Sequence, residues 1–344
     1  MSMLLSPATV AGLDLKNRVV MAPMCMYEVH EEDGVATPFH FAHYGARAIA
    51  NVALIIQEAT AVSPEGRLSN QDLGIWNDQQ LERLTDLVAQ LHFLGSKVGI
   101  QLVHAGRKAK DVETPLAPSA LAFNQDYGQP EALSLAGISE IKEAFVAAAA
   151  RAQEAGYDMI ELHGAHGYLI NQFLSPLTNQ RTDQYGGNLE NRFRLLKEIL
   201  EGVKTVFTGP IWVRLSIKDY APGETTIEEW QEVARWLEEL GVACIDVSTG
   251  GVINASPDIP VYQGYQVPFA TDIKQAVSDA AVAAVGLLDN PGLCEHILQT
   301  GQADLIMQGR ALIRNVNWLA DAAEILHDKD YQPYNHSYVR GQVR

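Results

Sequence analysis

Two histidines, His163 and His166, stand three residues apart in the stretch ELHGAHGYLINQ (161–172), with Tyr168 two further on. Paired imidazoles can supply half of a metal site. They can also donate two hydrogen bonds to one oxygen that gains negative charge. A phenol, whose ordinary pKa is about 10, stays protonated at neutral pH and can give up a proton. A third possibility is plainer: polar residues closing a buried strand. The choice depends on where the fold places the cluster.

Eight short apolar runs recur along the chain: 18–24, 52–59, 97–104, 157–164, 210–217, 243–250, 281–288 and 303–310. They are nearly continuous in hydrophobicity, as strands of a covered parallel sheet should be. Helical patterns lie between them. In 78–95, Leu81, Leu84, Leu87 and Leu91 share one face and Gly95 closes the helix. The segment 139–156 opens on Ser139, carries Ile141 and Phe145 four apart, and ends on Gly156. Segments 188–202 and 226–241 repeat this grammar, and shorter helices fit 40–51, 267–277, 291–301 and 314–327. Eight strand–helix units predict a single-domain (β/α)8 TIM barrel over residues 1–330, with a tail over 331–344. In that fold, chemistry sits at the C-terminal strand ends, which is where the His163–Tyr168 cluster falls. Two long loops, from His104 to about Ile138 and from Gly250 to about Val267, would cover that face.

Composition removes several classes of function. With 42 acidic and 25 basic residues the net charge is −17, so nucleic acid and anionic membrane surfaces would be repelled. No apolar run approaches the roughly 20 residues of a membrane span. The N-terminus lacks the pattern of a signal peptide, so a cytoplasmic location is the default and the sequons at Asn254 and Asn335 are taken as chance. Cys25, Cys244 and Cys294 are too few and too scattered for a disulfide framework or a clustered iron–sulfur site.

Other strand-end residues narrow the chemistry. Arg214 sits inside the apolar run WVRLSI, and a buried guanidinium needs an anion or a set of acceptors. Asp246 or Glu161 could provide an internal salt bridge. A ligand that becomes negative, as a flavin does on reduction, could serve equally. Gln101 can offer both donor and acceptor to a ring edge. Gly286 and Gly309 end the last two strands, and Arg310 adds a cation where barrels of this kind often bind phosphate. A zinc hydrolase using the histidine pair is the alternative, with His104 or Glu58 as third ligand. It would set Arg214 against a cation and leave the two glycines without a task.

The segments MAPMCMYEVHEEDGVATPFHFAHYGARA, QLVHAGRKA, HGAHGYLINQFLSP and NQRTDQYGGNLENR together resemble the old yellow enzyme family of flavin-dependent ene-reductases, especially its thermophilic-type bacterial subclass. The resemblance runs from Leu4 to the tail. It implies tightly but non-covalently bound FMN, NADPH or NADH as reductant, and small activated alkenes as substrates. It implies that Ala22, Pro23, Met24 and Cys25 line the flavin through the first strand. Ala59, Gln101 and Arg214 would hold the ring edge, and Gly286, Gly309 and Arg310 the phosphate. His163 and His166 would bind the substrate carbonyl oxygen, Tyr168 would donate the proton and Tyr27 would help bind substrate. Cys25 would tune the flavin. Arg340 would reach a neighbouring subunit's site, which requires a homodimer or homotetramer.

Overall fold

The computed structural model describes residues 2–254 and 259–341, so the Asn254 sequon extends beyond the described residues. The eight expected strands close into one parallel barrel. They are β1 (Val19–Met21), β2 (Leu54–Ala61), β3 (Lys97–Val103), β4 (Met159–Gly164), β5 (Ile211–Ser216), β6 (Cys244–Ser248), β7 (Ala281–Ala284) and β8 (Leu305–Gln308). Each pairs with its sequence neighbour, and β8 pairs with β1 to complete the ring. All the strands but β2 are shorter than their apolar runs, and β2 is as long as its run but starts and ends two residues later.

Side chains alternate across each strand, and the inward set changes character on rising through the barrel. Near the bottom it is apolar: Val20, Leu54, Met159, Trp212, Cys244, Ala281 and Leu305 belong to one buried cluster. Two residues higher, β4, β5 and β6 present Glu161, Arg214 and Asp246, all buried. The top of β4 presents His163, which registers beside Arg214. This alternation is what places polar groups on otherwise apolar strands.

The floor is sealed by an element the sequence reading missed, a hairpin pairing Ala8–Val10 with Leu13–Leu15. Its turn uses Ala11 and Gly12 at positive φ, and Trp212 Nε1 donates to the Ala11 carbonyl at 3.2 Å. Two helix boundaries also differ. The helix expected from Ser139 begins four residues earlier, at Leu135, because Ser134 accepts a hydrogen bond from the Gly137 amide and caps it. The helix expected over 314–327 is confined to Trp318–Ile325, and Arg314 instead ends a separate short helix, Arg310–Arg314. Asn315 turns extended there, and its side chain accepts from the Asn317 amide, which stops the first helix. Among the described residues no helix is long and apolar enough to cross a membrane.

Candidate active site

The end of β4 turns abruptly. His166 and Gly167 both take positive φ, and the chain then enters a short helix, Leu169–Leu174. That turn is held from three sides. The His166 amide donates to Ser216 Oγ at 2.9 Å, the Gly167 amide to Asn171 Oδ1 at 2.7 Å, and Lys108 Nζ donates to the His166 carbonyl at 2.9 Å. Gly167 packs directly on the Gly251 carbonyl, where a Cβ would collide. Gly167→Ala is therefore expected to destabilise the protein by about 1–3 kcal/mol, read as a lowered urea midpoint.

The turn brings three rings together. The His163 and His166 ring centroids are 5.1 Å apart and the Tyr168 centroid is 4.8 Å from His163, with near-perpendicular planes. His163 Nδ1 accepts from the Ala165 amide at 3.3 Å, so its proton belongs on Nε2. His166 Nε2 lies 2.7 Å from Ser248 Oγ, which leaves Nδ1 as the free ring nitrogen. Burial holds both imidazoles well below the ordinary histidine range, with each other's company and Arg214 adding to the effect on His163. They are neutral donors at pH 7. Burial also pushes the Tyr168 phenol well above its ordinary value, so it remains an acid with a proton to give.

Beside the histidines lies a cavity lined by Ala22, Pro23 and Met24 from the end of β1, by Arg214, and by Gly286, Gly309 and Arg310 from the ends of β7 and β8. His166 joins its wall. Seven of the expected cofactor residues thus share one cavity. Cys25 and Tyr168 instead pack against a small apolar cluster that holds Ala59, Val103 and Ala105. Gln101 is buried below, with Nε2 donating to Glu161 Oε1 at 2.7 Å, so one of its two amide hydrogens is already committed. For Arg214 the two sequence alternatives coexist: Nε lies 3.1 Å from Asp246 Oδ2 while the side chain also lines the cavity. Tyr27 is half exposed and at positive φ, and it does not line this cavity. Ser248, Lys108 and Gln266 were missed as site residues. Gln266 donates to Thr249 Oγ1 at 2.8 Å and lines the cavity from a loop position that carries no recognisable spacing.

Among the described residues the zinc alternative finds no third ligand beside the histidine pair. His104 Nδ1 accepts from the Gly106 amide, and Glu58 is bound by the Met26 amide and the Tyr44 hydroxyl. Among the described residues no three histidine, cysteine or acidic side chains converge in a metal-holding group.

Cys25 is held as a thiol rather than a thiolate. Burial, then Asp72 and Glu58, raise it well above the ordinary thiol range. Reactivity follows the thiolate, so iodoacetamide at pH 7.5 is expected to label Cys25 much more slowly than a free thiol. Labelling as fast as glutathione would contradict this assignment.

A barrel mouth with an anion-seeking arginine, two strand-end glycines and neutral imidazole donors defines a flavin-type oxidoreductase site. The NADH:flavin oxidoreductase / NADH oxidase family model matches residues 3–329. The chain is 49% identical over 338 residues to the NADPH dehydrogenase of Bacillus subtilis (strain 168), covering 98% of each. It is 49% identical over 337 residues to that of Listeria monocytogenes serovar 1/2a, covering 98% of this chain and 99% of the relative. Among solved structures, morphinone reductase superposes with a TM-score of 0.81 at 31% identity, covering 98% of this chain and 93% of the other. The chain belongs to this family, the old yellow enzymes. It is an FMN-dependent oxidoreductase of the NADPH dehydrogenase type, with NAD(P)H as reductant.

The residues present fit FMN. Arg214 Nε has no hydrogen bond of good geometry despite its burial. Among the described residues, the amides of Gly286 and Gly309 find no acceptor within the protein, as a phosphate-facing pair requires.

Proposed function

We propose that this enzyme reduces the activated C=C bond of α,β-unsaturated carbonyl compounds by a ping-pong cycle in which NAD(P)H first reduces bound FMN. The observation that carries the reading is the joint placement of His163, His166 and Tyr168 beside the cavity that holds Arg214. Bound FMN would supply the hydride, and everything else falls to the chain. Arg214, Gly286, Gly309 and Arg310 hold the cofactor, while Ala22, Pro23, Met24, Cys25, Ala59 and Gln101 shape or touch its ring. Neutral His163 Nε2–H and the His166 ring donate to the substrate's carbonyl oxygen, where charge builds as the β-carbon is attacked. Donors already aimed at that oxygen stabilise the transition state more than the ground state. Tyr168 gives its proton to the α-carbon, and Tyr27 helps bind the substrate.

The tail adds a subunit question. Arg340 lines a second cavity with Tyr334, Tyr338, Ala46 and Ile49, which shares no residue with the cavity lined by His166. Its role belongs to a neighbouring site in a homodimer or homotetramer. A monomer with full activity in analytical ultracentrifugation would contradict that role. For the reaction, NADPH-dependent conversion of 2-cyclohexenone to cyclohexanone under nitrogen is expected. NADPH consumption that stops when oxygen is removed and the enone is supplied would refute it.

A further inference from the structure

Beneath the site, the inward residues of β3 to β6 form a charge network in which Glu161 and Asp246 have no part in the chemistry above. Gln101 donates to Glu161, and Arg214 faces Asp246. Glu161 and Asp246 are both fully buried at the level of Arg214, and the negative charge of Asp246 raises the proton affinity of Glu161. Glu161 Oε2 and both Asp246 oxygens nevertheless find no hydrogen-bond donor in the structure. Two ionised carboxylates buried around one guanidinium would leave a negative charge unbalanced. A single proton on the pair brings the sum with Arg214 to zero.

We infer that Glu161 and Asp246 share one proton, and that as positioning residues they set, through Arg214, the charge beneath the cofactor ring. The inference rests on the placement of FMN over Arg214 given above. Burial, then Asp246, pushes Glu161 up to about 8 against the pull of Arg214 and Gln101, and Asp246 is raised as well. The other groups facing the pair bring no compensating charge. His163 and His166 above are neutral, and Cys244 below is held as a thiol. Further down, Lys274 and Asp304 neutralise each other at 2.8 Å.

This has a redox consequence. Hydride from NADPH brings two electrons and one proton to the cofactor, and with them one negative charge more than the oxidised state carries. That charge raises the proton affinity of the pair. Above about pH 8 the oxidised enzyme has lost the shared proton. Reduction then draws one proton from solvent onto the carboxyl pair, forming an O–H bond, and oxidation returns it to solvent. Proton uptake therefore rises from one to two per two electrons.

The test is potentiometry of the FMN-loaded wild type, Glu161→Gln and Asp246→Asn from about pH 6.5 to about pH 9.5. It is paired with reduced-minus-oxidised infrared spectra. The wild-type slope of potential against pH is expected to double above about pH 8, with a carboxylic-acid C=O band gained on reduction. Each variant keeps one carboxylate against Arg214, so both are expected to hold the one-proton slope and lack the band. A wild type with one slope throughout and no such band overturns the inference, whether or not the variants fold. The placement of the cofactor is tested separately by Arg214→Lys holoenzyme, where an unchanged potential would contradict it. The infrared band reports the shared proton in either case.

Discussion

Tyr168→Phe is expected to bind FMN and accept electrons from NADPH at the wild-type rate, and to pass them to 2-cyclohexenone about 10²–10⁴-fold more slowly. The ring packs edge-on to His163 at 4.8 Å, and phenylalanine preserves that contact while removing the only atom that carries the proton. Nothing near the hydroxyl ionises it. Burial, followed by Cys25, Tyr27 and Asp72, pushes it away from its anion. Lys108 Nζ, 5.2 Å from the ring centroid, sits over the aromatic face. The loss is therefore of a proton donor and not of a charge. Single-turnover reduction and reoxidation, followed separately, check it. An equal slowing of both halves would mean that the substitution disturbed the cofactor instead.

His163→Ala should cost about 10²–10³-fold in the same oxidative step, or roughly 2.7–4 kcal/mol, if it removes one preorganised oxyanion donor. The ring is buried, and its Nδ1 is tied to the Ala165 amide, so Nε2–H points without rotational freedom. Because burial keeps the imidazole well below the ordinary range, protonation is not what activates it. The sign follows. A histidine with a lowered pKa stays neutral on descending through its ordinary value of about 6.5. The rate of the oxidative step should therefore show no histidine step between about pH 8 and about pH 6 in the wild type. The measurement is the pH profile of reoxidation by enone, together with the affinity for a simple phenol, which the variant should weaken. Unchanged phenol binding would remove His163 from the clamp.

Much of this site could be read in the chain because barrel geometry converts linear order into place. Once eight apolar runs were counted, the residues ending each run had to meet at one mouth, and Ala22, Met24, Arg214, Gly286 and Arg310 do. What the runs could not show was the third dimension of the polar layer. Arg214 looked like a choice between ion pair and ligand. The structure uses both, since a guanidinium has more than one edge. Gln101 looked free for a ring edge, but its neighbour in register, Glu161, takes one of its hydrogens. Gln266 and Lys108 were missed because they act from loops, where no periodicity constrains direction. The hairpin at Ala8–Leu15 was missed because each of its strands is three residues long. The tail starts at Tyr331, a buried ring whose hydroxyl accepts from Asn17 at 3.3 Å and from Asn51 at 3.2 Å.

The central claim is that the histidine pair and Tyr168 deliver reducing equivalents to an activated alkene. It is tested most directly by reducing the enzyme with one equivalent of NADPH under strict anaerobiosis and mixing it with 2-cyclohexenone in a stopped-flow cell. The account predicts full return of the oxidised flavin spectrum with one equivalent of cyclohexanone formed. A flavin that stays reduced with the enone, yet reoxidises at once when oxygen is admitted, would contradict it.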